Sequence, residues 1–190
     1  MEKCAFKKNV LLVATFFAKA LLISQTTALM RKEDRFTQLI KDHEGLLFKV
    51  TRMYTERETD QKDLYQEIVF QLWKGFDSFR GEAKASTWMY RVALNTAFTF
   101  LRKDKRKGHA VALDNLHLTY EPHDPVLEER LQQLYAQIYL LSDVEKGIIL
   151  LLLEGKKYEE IAAITGFSRS KVATRISRIK QKLKKQLVNT

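Results

Sequence analysis

Residues 79–107 read FRGEAKASTWMYRVALNTAFTFLRKDKRK: a glycine-containing loop, a helix that mixes aromatics with cations, and a basic end. At 100° of rotation per residue, Met89, Tyr90, Ala93, Ala97, Phe100 and Leu101 fall on one side of that helix. Trp88, Arg91, Asn95, Thr99 and Arg102 fall on the other. The first stripe is a core face. The second offers an indole plane for stacking, a guanidinium for a phosphate and an amide able to bond a base edge, the set that holds a single-stranded nucleic acid. Ser86 is the expected N-cap, so the helix should begin just after the loop. For Trp88 the pattern leaves two readings open, a stacking platform or packing against a neighbouring helix.

Outward from this stretch the same period recurs. Arg35–Tyr54 and Thr59–Lys74 read as two amphipathic helices that pack with residues 86–103 into a small bundle. In the second, Leu64, Tyr65, Ile68, Val69, Leu72 and Trp73 share one broad face, and Asp60, Asp63, Gln66, Glu67 and Phe70 the other. The latter face suits a basic or polar partner helix, or is simply solvated, with Asp60 and Asp63 favouring the helix N-terminus. Residues 108–125, GHAVALDNLHLTYEPHDP, hold both prolines and three of the four histidines, with three acids and no lysine or arginine. They break the periodicity and read as an exposed linker. His109, His117 and His123 lack carboxylate or thiolate neighbours at a ligating spacing, so no metal site is expected.

Beyond the linker, Val126–Leu140 reads as a helix. Ser142 to Glu145 forms a capping box opening another helix through Leu153, which Glu154 and Gly155 end. Tyr158–Thr165 is a short helix, Gly166 a turn, and Ser168 the cap of a long basic helix. Short helix, glycine turn and long helix make a helix-turn-helix. Val172, Ile176, Ile179 and Leu183 should pack inward, leaving Ser170, Lys171, Thr174, Arg175 and Arg178 on or beside the outward face, the part that enters a major groove.

Charge agrees with this assignment. Across 190 residues, 33 Lys and Arg outweigh 23 Asp and Glu, giving +10, which favours an anionic partner such as nucleic acid or a membrane surface. Residues 168–190 carry eight cations and no acid. Two prolines, seven glycines and little alternation argue for an all-α chain. The lone Cys4 excludes an internal disulfide and a cysteine-rich zinc site, in keeping with a reducing cytoplasm.

Three motifs, in order and spacing, resemble a group IV sigma factor of bacterial RNA polymerase, the extracytoplasmic-function branch of the sigma-70 family, over about residues 34–187. Asp60, Asp63, Leu64, Gln66, Glu67, Phe70 and Trp73 resemble the D-x-x-D-L-x-Q-E-x-x-F-x-x-W helix that binds the polymerase β′ clamp. Residues 79–95 resemble the F-x-G-x-x-x-x-S-T-W-L-Y-R-I-A-x-N stretch that melts and reads the downstream, −10 promoter element. Tyr158, Glu160, Ile161, Ala162, Gly166, Ser168, Val172, Arg175 and Arg178 resemble the helix-turn-helix that reads the upstream, −35 element. Ser170-Lys171 stands where the family often has Gly-Thr, and Leu94 where many members are basic or polar.

The resemblance implies two small helical domains joined by a flexible linker: region 2 at 30–107, linker at 108–125 and region 4, with the helix-turn-helix, at 126–190. It implies core polymerase, through its β′ clamp and β flap, and promoter DNA as partners, and it allows for an anti-sigma factor. Asp60, Asp63, Gln66, Glu67 and Phe70 would face polymerase. Phe79, Arg80, Gly81, Ser86 and Thr87 would shape a loop receiving a flipped base, with Trp88, Arg91, Asn95 and Arg102 along the strand. Arg169, Ser170, Lys171, Thr174, Arg175 and Arg178 would meet the upstream duplex. Residues 1–29 fall outside the pattern: Lys3, Lys7 and Lys8 precede an apolar run that Lys19 interrupts, which reads as an over-extended frame before Met30 or, alternatively, a signal-like tether. A plain helix-turn-helix regulator would account for the C-terminal helix but not for the acidic helix or the stripe after Phe79. No nucleotide-binding loop, metal cluster or nucleophile is legible, so no enzyme, cofactor or small-molecule substrate is expected.

Overall fold

The computed structural model describes residues 31–106 and 133–188, which contain helices and no strand. Residues 1–30, 107–132 and 189–190 lie outside the described part, and with them the N-terminal segment and the expected linker. The helices are α1 (31–42), α2 (Glu44–Tyr54), α3 (Glu58–Gly75), α4 (Ala85–Arg106), α5 (133–139), α6 (Asp143–Leu153), α7 (Tyr158–Thr165) and α8 (Arg169–Val188), with a 3-10 turn at Phe76–Ser78.

The single helix expected over 35–54 is broken. His43 leaves helical geometry at φ −125° and ψ 18°, and its carbonyl accepts from the amides of Leu46 and Leu47 at 3.1 and 3.4 Å, starting a new helix. Gly45, in the first turn of α2, is a poor helix former and marks the weak point. The chain divides into compact units at this break, Met1–Asp42 and His43–Thr190. In the first, Gln38 Nε2 donates to Asp42 Oδ1 at 2.7 Å along α1.

In the second unit α2, α3 and α4 bury the apolar stripes read from the period. Leu47, Val50, Leu64, Ile68, Leu72, Met89, Ala93 and Ala97 are all fully buried. Two details differ from expectation. Ser86 is not the N-cap: the Lys84 carbonyl accepts from the amides of Thr87 and Trp88 at 2.9 and 3.2 Å, so α4 starts at Ala85 and Ser86 lies in its first turn. Upstream, Gly81 turns the chain at φ +76°. The core stripe of α4 is also displaced: Leu94 and Thr96 are buried, whereas Phe100 is only half-buried. Leu94 is covered because Gly147 of α6 lies against it; a Cβ there would sit 3.4 Å from a Leu94 methyl.

The C-terminal helices follow their punctuation. Ser142 Oγ accepts from the Glu145 amide at 3.4 Å while Glu145 Oε2 accepts from the Ser142 amide at 2.9 Å, the reciprocal box the sequence spells. Gly166, at φ +75°, ends α7 with its amide bonded to the Ala162 carbonyl at 2.9 Å. Ser168 Oγ then accepts from the Lys171 amide at 3.3 Å to open α8. Val172, Ile176, Ile179 and Leu183 pack inward as expected, and Ile138, Ile148, Leu151 and Ile161 are likewise buried.

The helices on either side of residues 107–132 pack together. The Tyr54 hydroxyl donates to the Asp143 carbonyl at 2.7 Å, and Tyr139 to the Arg52 carbonyl at 2.8 Å. Glu154, just after α6, pairs with Lys49 Nζ at 2.8 Å and accepts from the Tyr90 hydroxyl at 3.3 Å. Burial, reinforced by the nearby acids Asp143 and Glu154 respectively, pushes the Tyr54 and Tyr90 phenols well above their ordinary values, so both remain protonated donors. Among the described residues no helix is long and apolar enough to cross a membrane.

Candidate nucleic-acid interface

The loop between the 3-10 turn and α4 encloses an open cavity of about 430 Å³ lined by Ser78, Phe79, Arg80, Glu82, Ala83 and Trp88. One wall is an aromatic stack, with the Phe79 and Trp88 rings 4.8 Å apart and inclined by 21°. Behind it the indole presses on α3, where a Cβ on Gly75 would lie 3.3 Å from Trp88 Cζ2. Trp88 therefore braces the loop and forms its wall, with much of its ring area engaged by protein. Arg80 and Gly81 are exposed at the rim, and Ser86 and Thr87 are half-buried at the start of α4.

Further along α4, Arg91, Asn95, Thr99 and Arg102 are exposed in one stripe, and Thr99 Oγ1 donates back to the Asn95 carbonyl at 2.9 Å. This stripe does not stand alone. Asn95 and Thr99 face Asp63, Gln66, Glu67 and Phe70 of α3 across a groove of about 890 Å³, which Val92, Thr96 and Phe100 also line. Two residue sets that the sequence presents as separate surfaces line one groove. Phe100 is half-buried because it belongs there. Gln71 Nε2 holds Glu67 Oε1 at 2.8 Å, and Lys74 Nζ lies 4.6 Å from the centre of the half-exposed Phe70 ring. Asp60 is outside the groove lining and accepts from Arg57 Nε at 2.7 Å.

On α8, Arg169, Ser170, Lys171, Thr174 and Arg178 are exposed and Arg175 is partly so. Arg169 is turned back onto α7, where it pairs with Glu159. Hydrogen bonds from the Glu159 backbone amide and the Arg169 side chain hold that carboxyl below its ordinary value. Thr174 Oγ1 donates to the Ser170 carbonyl at 3.0 Å. A residue that sequence reasoning missed lies beside them: the Phe167 ring has Lys171 Nζ at 4.6 Å and Arg175 Cζ at 4.9 Å from its centre. The signal was present as an aromatic just before an N-cap, with cations four and eight positions on.

Comparison with known proteins agrees with this geometry. Residues 39–107 match the family model for Sigma-70 region 2, and residues 131–183 that for Sigma-70, region 4. RNA polymerase sigma factor YlaC of Bacillus subtilis (strain 168) is 30% identical over 167 residues, covering 83% of this chain and 92% of that one. The ECF RNA polymerase sigma-E factor of Escherichia coli (strain K12) is 32% identical over 135 residues, 64% of this chain and 71% of the relative. Among solved structures, CnrH in complex with the cytosolic domain of CnrY superposes with a TM-score of 0.61 at 22% identity, covering 83% of this chain and 90% of that one. The sigma factor RpoE in complex with the anti-sigma factor NepR from Bartonella quintana gives 0.68 at 22% identity, covering 80% and 96%. These two likenesses are of fold.

Proposed function

The chain belongs to the sigma-70 family as an ECF-type RNA polymerase sigma factor, which binds core polymerase and promoter DNA to start transcription, and from that premise we propose how its surfaces divide the work. Residues 30–107 form the region 2 domain and 126–190 the region 4 domain, with 108–125 as the linker. Asp63, Gln66, Glu67 and Phe70 receive the polymerase β′ clamp, with Asp60 beside them, while the region 4 domain meets the β flap. The half-exposed Phe70 ring, rimmed by acids and amides, is the anchor that such a surface needs.

Arg91, Asn95 and Arg102 track the single strand, and the cavity beneath Phe79 and Trp88 accepts one flipped base of the −10 element. Contacts there offset an unstacking cost of about a few kcal/mol, so melting needs neither a catalytic residue in this chain nor a nucleoside triphosphate. Lys171, Thr174, Arg175 and Arg178 of α8, with Arg169 and Ser170 at its start, meet the −35 duplex. The observation that supports this division best is the single groove joining the acidic wall of α3 to Asn95 and Thr99 of α4. Because its work is done on polymerase, the protein acts in the cytoplasm. By analogy with RpoE, solved in complex with the anti-sigma factor NepR, an anti-sigma factor is a proposed further partner.

Run-off transcription by core polymerase on a promoter library, with and without the protein, tests the reading. Glu67→Lys should lower polymerase affinity at least about tenfold, as expected for reversing a charge at an interface, while leaving duplex binding intact. Duplex binding with no stimulated initiation from any promoter would leave a plain helix-turn-helix regulator instead.

A further inference from the structure

Phe167 occupies the turn of the helix-turn-helix, and its surroundings fix it closely. Gly166 before it holds φ +75°, its own amide donates to Thr165 Oγ1 at 3.4 Å, and Ser168 after it caps α8. The backbone therefore has little freedom, and the half-buried ring lies along the Lys171 and Arg175 stripe of α8. Those two residues are one turn apart on the same side of the helix. Each cation lies within the range over which the negative face of an aromatic ring attracts it. Arg169, the neighbouring cation, goes to Glu159.

Lys and Arg side chains on an open surface sample many rotamers, and ordering them on a duplex carries an entropic cost. A ring that gathers two of them before DNA arrives reduces that cost. A guanidinium stacked on a ring by its face still presents N–H groups at its edge, the geometry needed for a guanine edge or a phosphate. We infer that Phe167 is a positioning residue for upstream promoter recognition: its aromatic face holds Lys171 and Arg175 in the orientation in which they meet the duplex. The inference rests on α8 being the helix that reads the −35 element. It makes base preference there depend on the π-face of residue 167 and not on its apolar bulk.

The test uses holoenzyme assembled from core polymerase and the full chain, with initiation scored across a library randomised in the upstream element. Phe167→Leu keeps most of the apolar bulk and removes the quadrupole, Phe167→Tyr keeps both, and Arg175→Ala reports on the helix itself. Phe167→Leu should lower initiation at the preferred element by about three- to tenfold, as two cation–π contacts allow. It should also flatten preference at the positions read by Lys171 and Arg175, with thermal midpoint and downstream preference unchanged. Phe167→Tyr should restore both properties. Wild-type preference in Phe167→Leu alongside a flattened profile in Arg175→Ala would refute the positioning role while leaving α8 as the reading helix. Unchanged upstream preference in both Lys171→Ala and Arg175→Ala would remove α8 from that role and the inference with it. Equal losses in the Leu and Tyr variants, with a lowered thermal midpoint, would reduce Phe167 to packing.

Discussion

Trp88 touches protein on two sides, stacked on Phe79 at 4.8 Å and pressed on α3 at Gly75. Helical periodicity gives the direction in which that indole leaves α4, which is why its stripe was legible. It cannot say where Phe79 goes, because eight residues of loop and first turn separate the two rings and irregular backbone has no register to count. The stack follows from the path of that loop, with Gly81 at positive φ. Its loss should be felt in melting first. Trp88→Ala is expected to slow open-complex formation about tenfold, the scale of a lost aromatic pair, with a smaller effect on polymerase binding; Trp88→Phe should keep most of the activity. Permanganate footprinting of the melted strand beside a polymerase-binding titration checks this, and equal losses in both would indicate misfolding.

In the C-terminal half, helix ends were read well from local signals, whereas Ser86 was misplaced as the cap of α4. The Ser142 to Glu145 box, the Gly166 stop and the Ser168 cap each lie within four residues of what they satisfy, and each is where spacing put it. The break at His43 was missed because the apolar period runs on across it while one glycine weakens the backbone. Ser142→Ala should destabilise the chain by about 1 kcal/mol, and Gly166→Ala by about 1–2 kcal/mol for forcing a Cβ into left-handed backbone, both measured by thermal unfolding. Acid should act at the same ends. Burial alone would raise Glu145, yet hydrogen bonds from Ser142 and the charges of Lys182 and Arg175 bring it below its ordinary value; the Lys157 amide does so for Glu160. Carboxyls lowered in the folded state stabilise it above their unfolded pKa, and that contribution is lost as pH falls through the folded one. Helicity followed by circular dichroism should therefore fall as pH drops below about 4.5, the ordinary carboxylate value, and Glu145→Gln should flatten that dependence.

At the scale of the molecule, the packing of α2 and α4 on α6 and α7 was not legible, since partners such as Tyr54 and Asp143 lie 89 residues apart and no local pattern links them. The contact leaves no room for a side chain at Gly147, where a Cβ would come within 2.9 Å of the Tyr54 hydroxyl. Gly147→Val should destabilise the chain by about 1–3 kcal/mol through overpacking. Measured in a double-mutant cycle by denaturant unfolding, Tyr54→Phe should relieve part of that loss. The groove between α3 and α4 has a different consequence. On the proposed division, with polymerase along one wall and the melted strand along the other, the two ligands share a boundary, and their affinities are linked. Whatever factor polymerase adds to strand binding, the strand must add to polymerase binding. Where that factor exceeds one, commitment to a promoter tightens the grip on the enzyme by the same ratio, and release of either partner loosens the other.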